Sequence, residues 1–314
     1  MNNLIKEFHE QDERWAIWGI NSHEEFIKQF MVIGKFHKSV PFEIIDEFKA
    51  VERLLCYSYY YFPLLDEAFS KITRIFESAV KIRMEELGIP SKKGFESLNE
   101  KIRKIEPFIS PTLLAEWIAA KEKRNSFAHP TAGSLKGIIY YRGLFQMVNI
   151  INTVFLDKDK IDQSEQALAN LKFESQHLKD GLFKFEAGDK NYLVWSLVPY
   201  SCFETSKISK SFWVIHPVLT YFPQKVEKLN FSLPIPLRLT NIKITNDSFE
   251  ALNIASGQIV RVTRTINPIN LELLNKHKEL VASSELIVRK HYWQLMESEM
   301  GFELAKFLYE ECWE

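Results

Sequence analysis

The sequence predicts an α+β protein, an N-terminal all-α helical bundle followed by a smaller α+β domain. Two patterns carry that expectation: before about residue 160 apolar residues recur at helical spacing, and after it Gly- and Asn-bounded runs alternate at period two. Length is the third observation, since 314 residues accommodate about two domains of ~100–200 residues. The expected divisions are a helical extension over 1–41, a helical domain over 42–157 and an α+β domain over 165–314.

In chain order, the first forty residues set Trp15, Trp18, Phe26 and Phe30 among charges, a pattern for one or two helices covering the domain that follows. Pro63 starts a long helix, because proline is tolerated in a first turn and Asp66 and Glu67 suit the positive helix end. Leu65, Phe69, Ile72, Phe76, Ala79 and Val80 form its core stripe, and Gly88 with Pro90 beyond it ends it. Ser110-Pro111 opens another helix by the same logic, which runs until Pro130 stops it. A further helix is expected over about 137–156, then a polar linker, LDKDKIDQSEQ. LFKFEAGDKNYLVWSLVPY reads as two strands joined by a Gly-Asp-Lys-Asn turn, with SFWVIHPVL and GQIVRVTRT as further strands. The last thirty residues return to helical spacing.

Composition excludes several classes. A chain with 46% hydrophobic and 26% charged residues, 11 Gly and 12 Pro is neither low-complexity nor disordered. Its formal charge of −1 gives no whole-protein signature of a nucleic-acid or membrane partner, so any such signature must be local. Cys56, Cys202 and Cys312 lie far apart and leave one over, which argues against a disulfide framework or a cysteine-rich zinc site. The segment Gly137 to Leu156 is long and apolar, but Arg142, Gln146, Asn149 and Asn152 argue for a buried helix rather than a membrane span. The acidic, charge-broken start lacks the features of a secretory signal, and a cytoplasmic protein is expected. No histidine spacing builds a metal site, and there is neither a Gly-rich phosphate loop nor a nucleophile elbow, so no metal and no cofactor are expected.

One constellation carries chemistry. On the helix after Pro111, at about 100° per residue, Leu113, Leu114, Trp117 and Ile118 define an apolar sector facing the core. One or two turns later the same sector holds Lys121, Arg124, Asn125, Ala128 and His129. An unpaired buried guanidinium is costly, so Arg124 needs an acceptor such as Glu77 or Glu116, a solvated cleft, or an anionic ligand. Residues 101–150 hold 8 Lys+Arg against 3 Asp+Glu, whereas residues 41–100 hold 8 against 11. That local surplus makes a phosphate-bearing partner plausible here, with Lys121, Lys123, Lys136 and Arg142 as candidate RNA- or phosphate-binding cations.

The run Arg124-Asn125-Ser126-Phe127-Ala128-His129-Pro130 resembles the R-N-x-x-x-H signature of HEPN domains, helical bundles common among prokaryotic ribonucleases, toxins and phage-defence proteins. No other arginine in the chain is followed by a histidine five residues later, and the resemblance covers roughly residues 42–157. It implies metal-independent endoribonuclease activity, with attack by the ribose 2′-hydroxyl giving a 2′,3′-cyclic phosphate and a 5′-hydroxyl end. Arg124, His129 and Asn125 are then the catalytic candidates. A histidine titrates near neutral pH and moves protons, a guanidinium stabilises charge growing on phosphate, and Asn125 bonds a phosphate oxygen or orients His129. Arg and His five apart on a regular helix diverge by about 140°, so either the last turn unwinds at Pro130 or a second copy completes the site. The resemblance implies a homodimer, which is also the commonest symmetry of soluble homo-oligomers.

The implied partners are RNA, a second copy, and an antitoxin or sensor protein. Thr131 stands where toxins neutralised by a nucleotidyltransferase often carry a tyrosine, which argues against that subfamily. Two rival readings stay open: a catalytically silent module that binds RNA or nucleotide, and an interaction protein in which Arg124 belongs to a structural ion pair. Trp195, Phe212, Trp213, Tyr221 and Phe222 are candidates for base stacking or for an ordinary core.

Overall fold

Polar caps and prolines fix where the helices of this chain begin, and the strands are fixed by alternation along a closed sheet. The computed structural model describes residues 9–92, 94, 96–128, 141–204 and 208–313, without the side chains of 123 and 126–128. The chain forms two compact units, Met1–Lys158 with Leu308–Glu314, and Asp159–Phe307.

In the first unit a 3-10 turn at Glu13–Trp18 precedes α1 (His23–Phe30), α2 (Phe42–Tyr57), α3 (Leu64–Glu86), α4 (Leu98–Ile105), α5 (Pro111–Ala128) and α6 (Tyr141–Val154). The helix α3 buries Leu65, Phe69, Ile72, Phe76, Ala79 and Val80, and Gly88 takes the left-handed conformation (φ 66°) that ends it, its amide donating to the Glu85 carbonyl at 3.0 Å. Gly143 lets α6 approach α3 closely: a Cβ there would lie 2.7 Å from the Phe69 ring. Trp15 is wholly buried and donates its indole N–H to the Ser58 carbonyl at 2.7 Å, so the turn that carries it is pinned to the end of α2.

The two asparagines of α6 that argued against a membrane span satisfy buried backbone and indole groups. Asn152 accepts from the His37 amide (2.9 Å) and donates to the Lys35 and Val148 carbonyls (2.9 and 3.0 Å), while Asn149 accepts from the Trp313 indole (2.7 Å). Buried amides with such partners are stable in a protein core. Among the described residues no helix is long and apolar enough to cross a membrane, and α6 is 14 residues long.

The second unit begins with α7 (Lys158–Glu174), where a polar linker was expected. Ile161 is buried and Leu171 packs on the core beyond, contacts that hold a helix too polar to announce itself by periodicity. Six strands follow, β1 (Phe183–Ala187), β2 (Lys190–Glu204), β3 (Ser209–Pro217), β4 (Ile235–Ile244), β5 (Ser248–Asn253) and β6 (Ile259–Arg264), then α8 (Pro268–Ser283) and α9 (Leu286–Glu311). Each strand pairs antiparallel with the next, and β6 returns to β1, with Phe185 opposite Val262, so the sheet is a closed barrel with no free edge.

This closed, strand-rich barrel overturns the expected fold class, an all-α bundle with a smaller α+β domain behind it. The sequence reading found β1, β2, β3 and β6 but not β4 and β5, and without those two the barrel cannot close. Their signal is weak for a physical reason. The β4–β5 pairing is bulged between Thr240 and Lys243, and Asn241 there adopts φ 53°, which breaks the alternation a strand reading depends on.

Inward side chains fill the barrel: Phe183, Phe185, Val194, Leu197, Trp213, Ile215, Leu237, Leu239, Phe249, Val260 and Val262. The Trp213 indole donates to the Ser211 hydroxyl (2.8 Å), which donates to the Leu239 carbonyl (3.3 Å), so the largest ring in the core leaves no N–H unpaired. The other face of β3 is covered too, with Phe212 against Phe307 and His216 against Trp195 at ring separations of 5.8 and 5.0 Å.

His216 is 6% exposed, and burial pushes its imidazole down to about 4 from an ordinary value of 6.5. The folded ring therefore stays neutral while the unfolded ring takes up a proton, so stability is present above about pH 6.5 and is lost as pH falls toward 4. The loss should approach about 3 kcal/mol, and urea titrations followed by intrinsic fluorescence at pH 7.5, 5 and 4 should record it. His216→Leu should flatten that dependence.

Candidate functional site

Three helices bring Arg124 and a second cation to one acid. The start of α5 is fixed by the Ser110 hydroxyl, which accepts from the Leu113 amide at 3.3 Å, and by Pro111 in the first turn. The start of α4 is fixed by a reciprocal cap in which Ser97 accepts from the Glu100 amide and Glu100 accepts from the Ser97 amide. Trp117, wholly buried, meets Phe76 of α3 edge to face at 6.1 Å. Two turns along α5 from Trp117 stands Arg124, and the residue after Phe76 is Glu77.

The Arg124 guanidinium donates to Glu77 Oε2 at 3.0 Å, and Lys101 of α4 donates to Glu77 Oε1 at 3.2 Å. Arg124 also reaches Asn125 Oδ1 at 3.5 Å, a long contact. Beside them Lys121 donates to Asn99 at 3.1 Å and pairs with the exposed Glu122 at 2.9 Å. The side chains of Lys101 and Lys121 are 13% and 14% exposed, whereas Arg124 retains 31% and Glu77 24%. One carboxylate thus serves two cations and fixes the guanidinium, while a third of Arg124 remains open to solvent. In such a half-buried setting an added anion meets a charge surplus that water screens only in part.

Of the residues singled out from sequence, Arg124, Asn125 and Lys121 come together here. His129 and Lys136, together with Pro130, Thr131 and Gly133, lie outside the described residues, as does the Lys123 side chain. Arg142 stands at an exposed position on a different helix, α6. Ile118 is 40% exposed, so the core-facing sector of α5 is narrower than expected and consists of Leu113, Trp117 and Ala120. Of the base-stacking candidates, Phe212 and Trp213 are wholly buried and Phe222 nearly so, which makes them core residues.

Lys101 and Asn99 were not anticipated. On α4, Leu98, Ile102 and Ile105 are buried, and Lys101 lies three residues from Leu98 on the flank of that stripe. That spacing is the signal that could have placed Lys101 beside the core. Among the described residues no group of three His, Cys, Asp or Glu could hold a metal ion. No protein family, curated protein or solved structure matches this chain.

Glu77→Gln removes the acid that two part-buried cations share. It should lower unfolding free energy by about 1 kcal/mol at low ionic strength, less at 1 M salt, in urea titrations of the purified protein.

Proposed function

We propose that Arg124, Asn125 and His129 are the working residues of a metal-independent endoribonuclease that leaves 2′,3′-cyclic phosphate and 5′-hydroxyl ends. The observation that carries the reading is the state of Arg124: it is held in one orientation by Glu77 yet remains a third exposed, at the start of the R-N-x-x-x-H run. A guanidinium fixed before the substrate arrives stabilises developing phosphate charge without reorganisation. Asn125 turns its oxygen toward Arg124, which leaves its amide N–H groups as donors to a phosphate oxygen.

In the reaction the ribose 2′-oxygen bonds to phosphorus and the bond from phosphorus to the 5′-oxygen breaks. The 2′-hydroxyl proton must leave and the 5′-oxygen must gain one, and an imidazole can do either task. An Arg and a His five apart on a regular helix diverge by about 140°, and a homodimer would supply complementary groups from the second copy. By the same resemblance to HEPN ribonucleases, the protein acts in the cytoplasm as a toxin or phage-defence effector, with an antitoxin or sensor as partner.

The ion pair itself favours a second reading, in which Arg124 with Glu77 and Lys101 only joins α3, α4 and α5, and the module binds RNA without cleaving it or serves as an interaction protein.

Purified protein incubated with mixed RNA in EDTA separates these readings. The nuclease reading expects cleavage with cyclic-phosphate ends, reduced at least ~100-fold by Arg124→Ala and by His129→Ala, from a protein that elutes as a dimer. RNA bound but uncleaved supports the silent module. Indifference to RNA, with Arg124→Ala lowering only the melting temperature, supports the structural pair and ends the nuclease proposal.

A further inference from the structure

The second unit contains a cavity of about 460 Å³, within the range of small-molecule sites, lined by β2, α8 and α9. Its walls include Trp195, Tyr292 and Trp293, and its polar lining comes from His277, Lys278 and Arg289, with Asp180 as the one acid. Leu219 and Phe222, which also line it, form a small apolar cluster with Val288 against which Tyr292 packs.

The aromatic walls are arranged in advance. The Trp195 ring is held against His216 at 5.0 Å and His277 at 6.1 Å, and Tyr292 meets Trp293 at 5.4 Å with the planes 68° apart. Trp293 is nevertheless 44% exposed, a large apolar face left available at the mouth.

One polar group of the lining is unsatisfied. Arg289 Nε is buried without a hydrogen-bond partner. A buried, unpaired guanidinium N–H is disfavoured unless a ligand completes it, and a planar fork of donors matches a phosphate or carboxylate. His277 accepts from the Leu219 amide through Nδ1 at 3.2 Å, so its neutral ring carries the proton on Nε2, a further donor. Lys278 adds charge at the exposed edge, and Asp180 can accept from hydroxyl groups. A neighbouring hollow of about 770 Å³ has no such orphan, since its Lys276 pairs with Glu272 at 2.7 Å.

We infer that this cavity binds a small aromatic anion of mononucleotide size, its ring against Tyr292 and Trp293 and its anionic group on Arg289. The inference does not depend on the nuclease reading, because it uses other residues in the other unit.

Calorimetric titration of the full-length protein with AMP, GMP, CMP and UMP tests it, with the matching nucleosides and inorganic phosphate as further probes. At least one nucleotide should bind saturably, one per chain, and its nucleoside and phosphate alone should each bind at least ~10-fold more weakly. Arg289→Gln should weaken binding by ~10-fold or more, and Trp293→Ala by severalfold, with unchanged melting temperature. Absence of saturable binding by all four nucleotides at millimolar concentration overturns the inference. So does binding that neither variant alters, or a nucleoside that binds as tightly as its nucleotide. Should Arg289→Gln fail to fold, Trp293→Ala on the exposed rim still decides.

Discussion

A positive charge that folding withdraws partly from water is stabilised by a nearby acid, and in this protein Glu77 serves two such charges where three helices meet. Arg124 and Lys101 reach its two oxygens from α5 and α4, while Glu77 itself is set on α3 by the wholly buried Phe76 beside it. The apolar contact and the ionic one support each other. Phe76 against Trp117 fixes how α3 and α5 lie together, and that packing brings the guanidinium within 3.0 Å of its partner. An exposed pair of the same composition would contribute little, because water screens it and two long side chains must be ordered to make it.

Closure does for the second unit what that shared acid does for the first. A six-stranded sheet in which β6 pairs with β1 leaves no row of open backbone donors and acceptors, and its interior is filled by Phe, Trp, Leu, Val and Ile from every strand. Side chains from all six strands pack together in its interior. Its polar chemistry is accordingly found outside the barrel wall, where Trp195 of β2 faces His277 of α8 and where α9 presents Arg289. The two units thus treat arginine in opposite ways: Arg124 is satisfied by protein, whereas Arg289 has a buried nitrogen that is not.

What was legible in the sequence was local. Pro63, Ser110-Pro111 and Gly88 mark helix ends because caps and left-handed turns act within a few residues. Gly188 at φ 61° marks the β1–β2 hairpin for the same reason. The conflict between an apolar stripe and Arg124 was legible too, since it needs only the helical period. Less legible were α7, whose few apolar residues gain their support from the barrel, and β4 and β5, whose alternation is interrupted at Asn241.

The sequence by itself therefore determined where several helices and four of the strands form, and that Arg124 lies on a face where a charge needs an explanation. Only the tertiary structure decided that the explanation includes a carboxylate 47 residues earlier, that the strands close into a barrel, and that Arg289 and two aromatic rings frame a cavity. The reason is physical: capping and periodicity are interactions between near neighbours in the chain, whereas ion pairing, strand closure and cavity formation join residues whose separation along the chain carries no information about their distance in space.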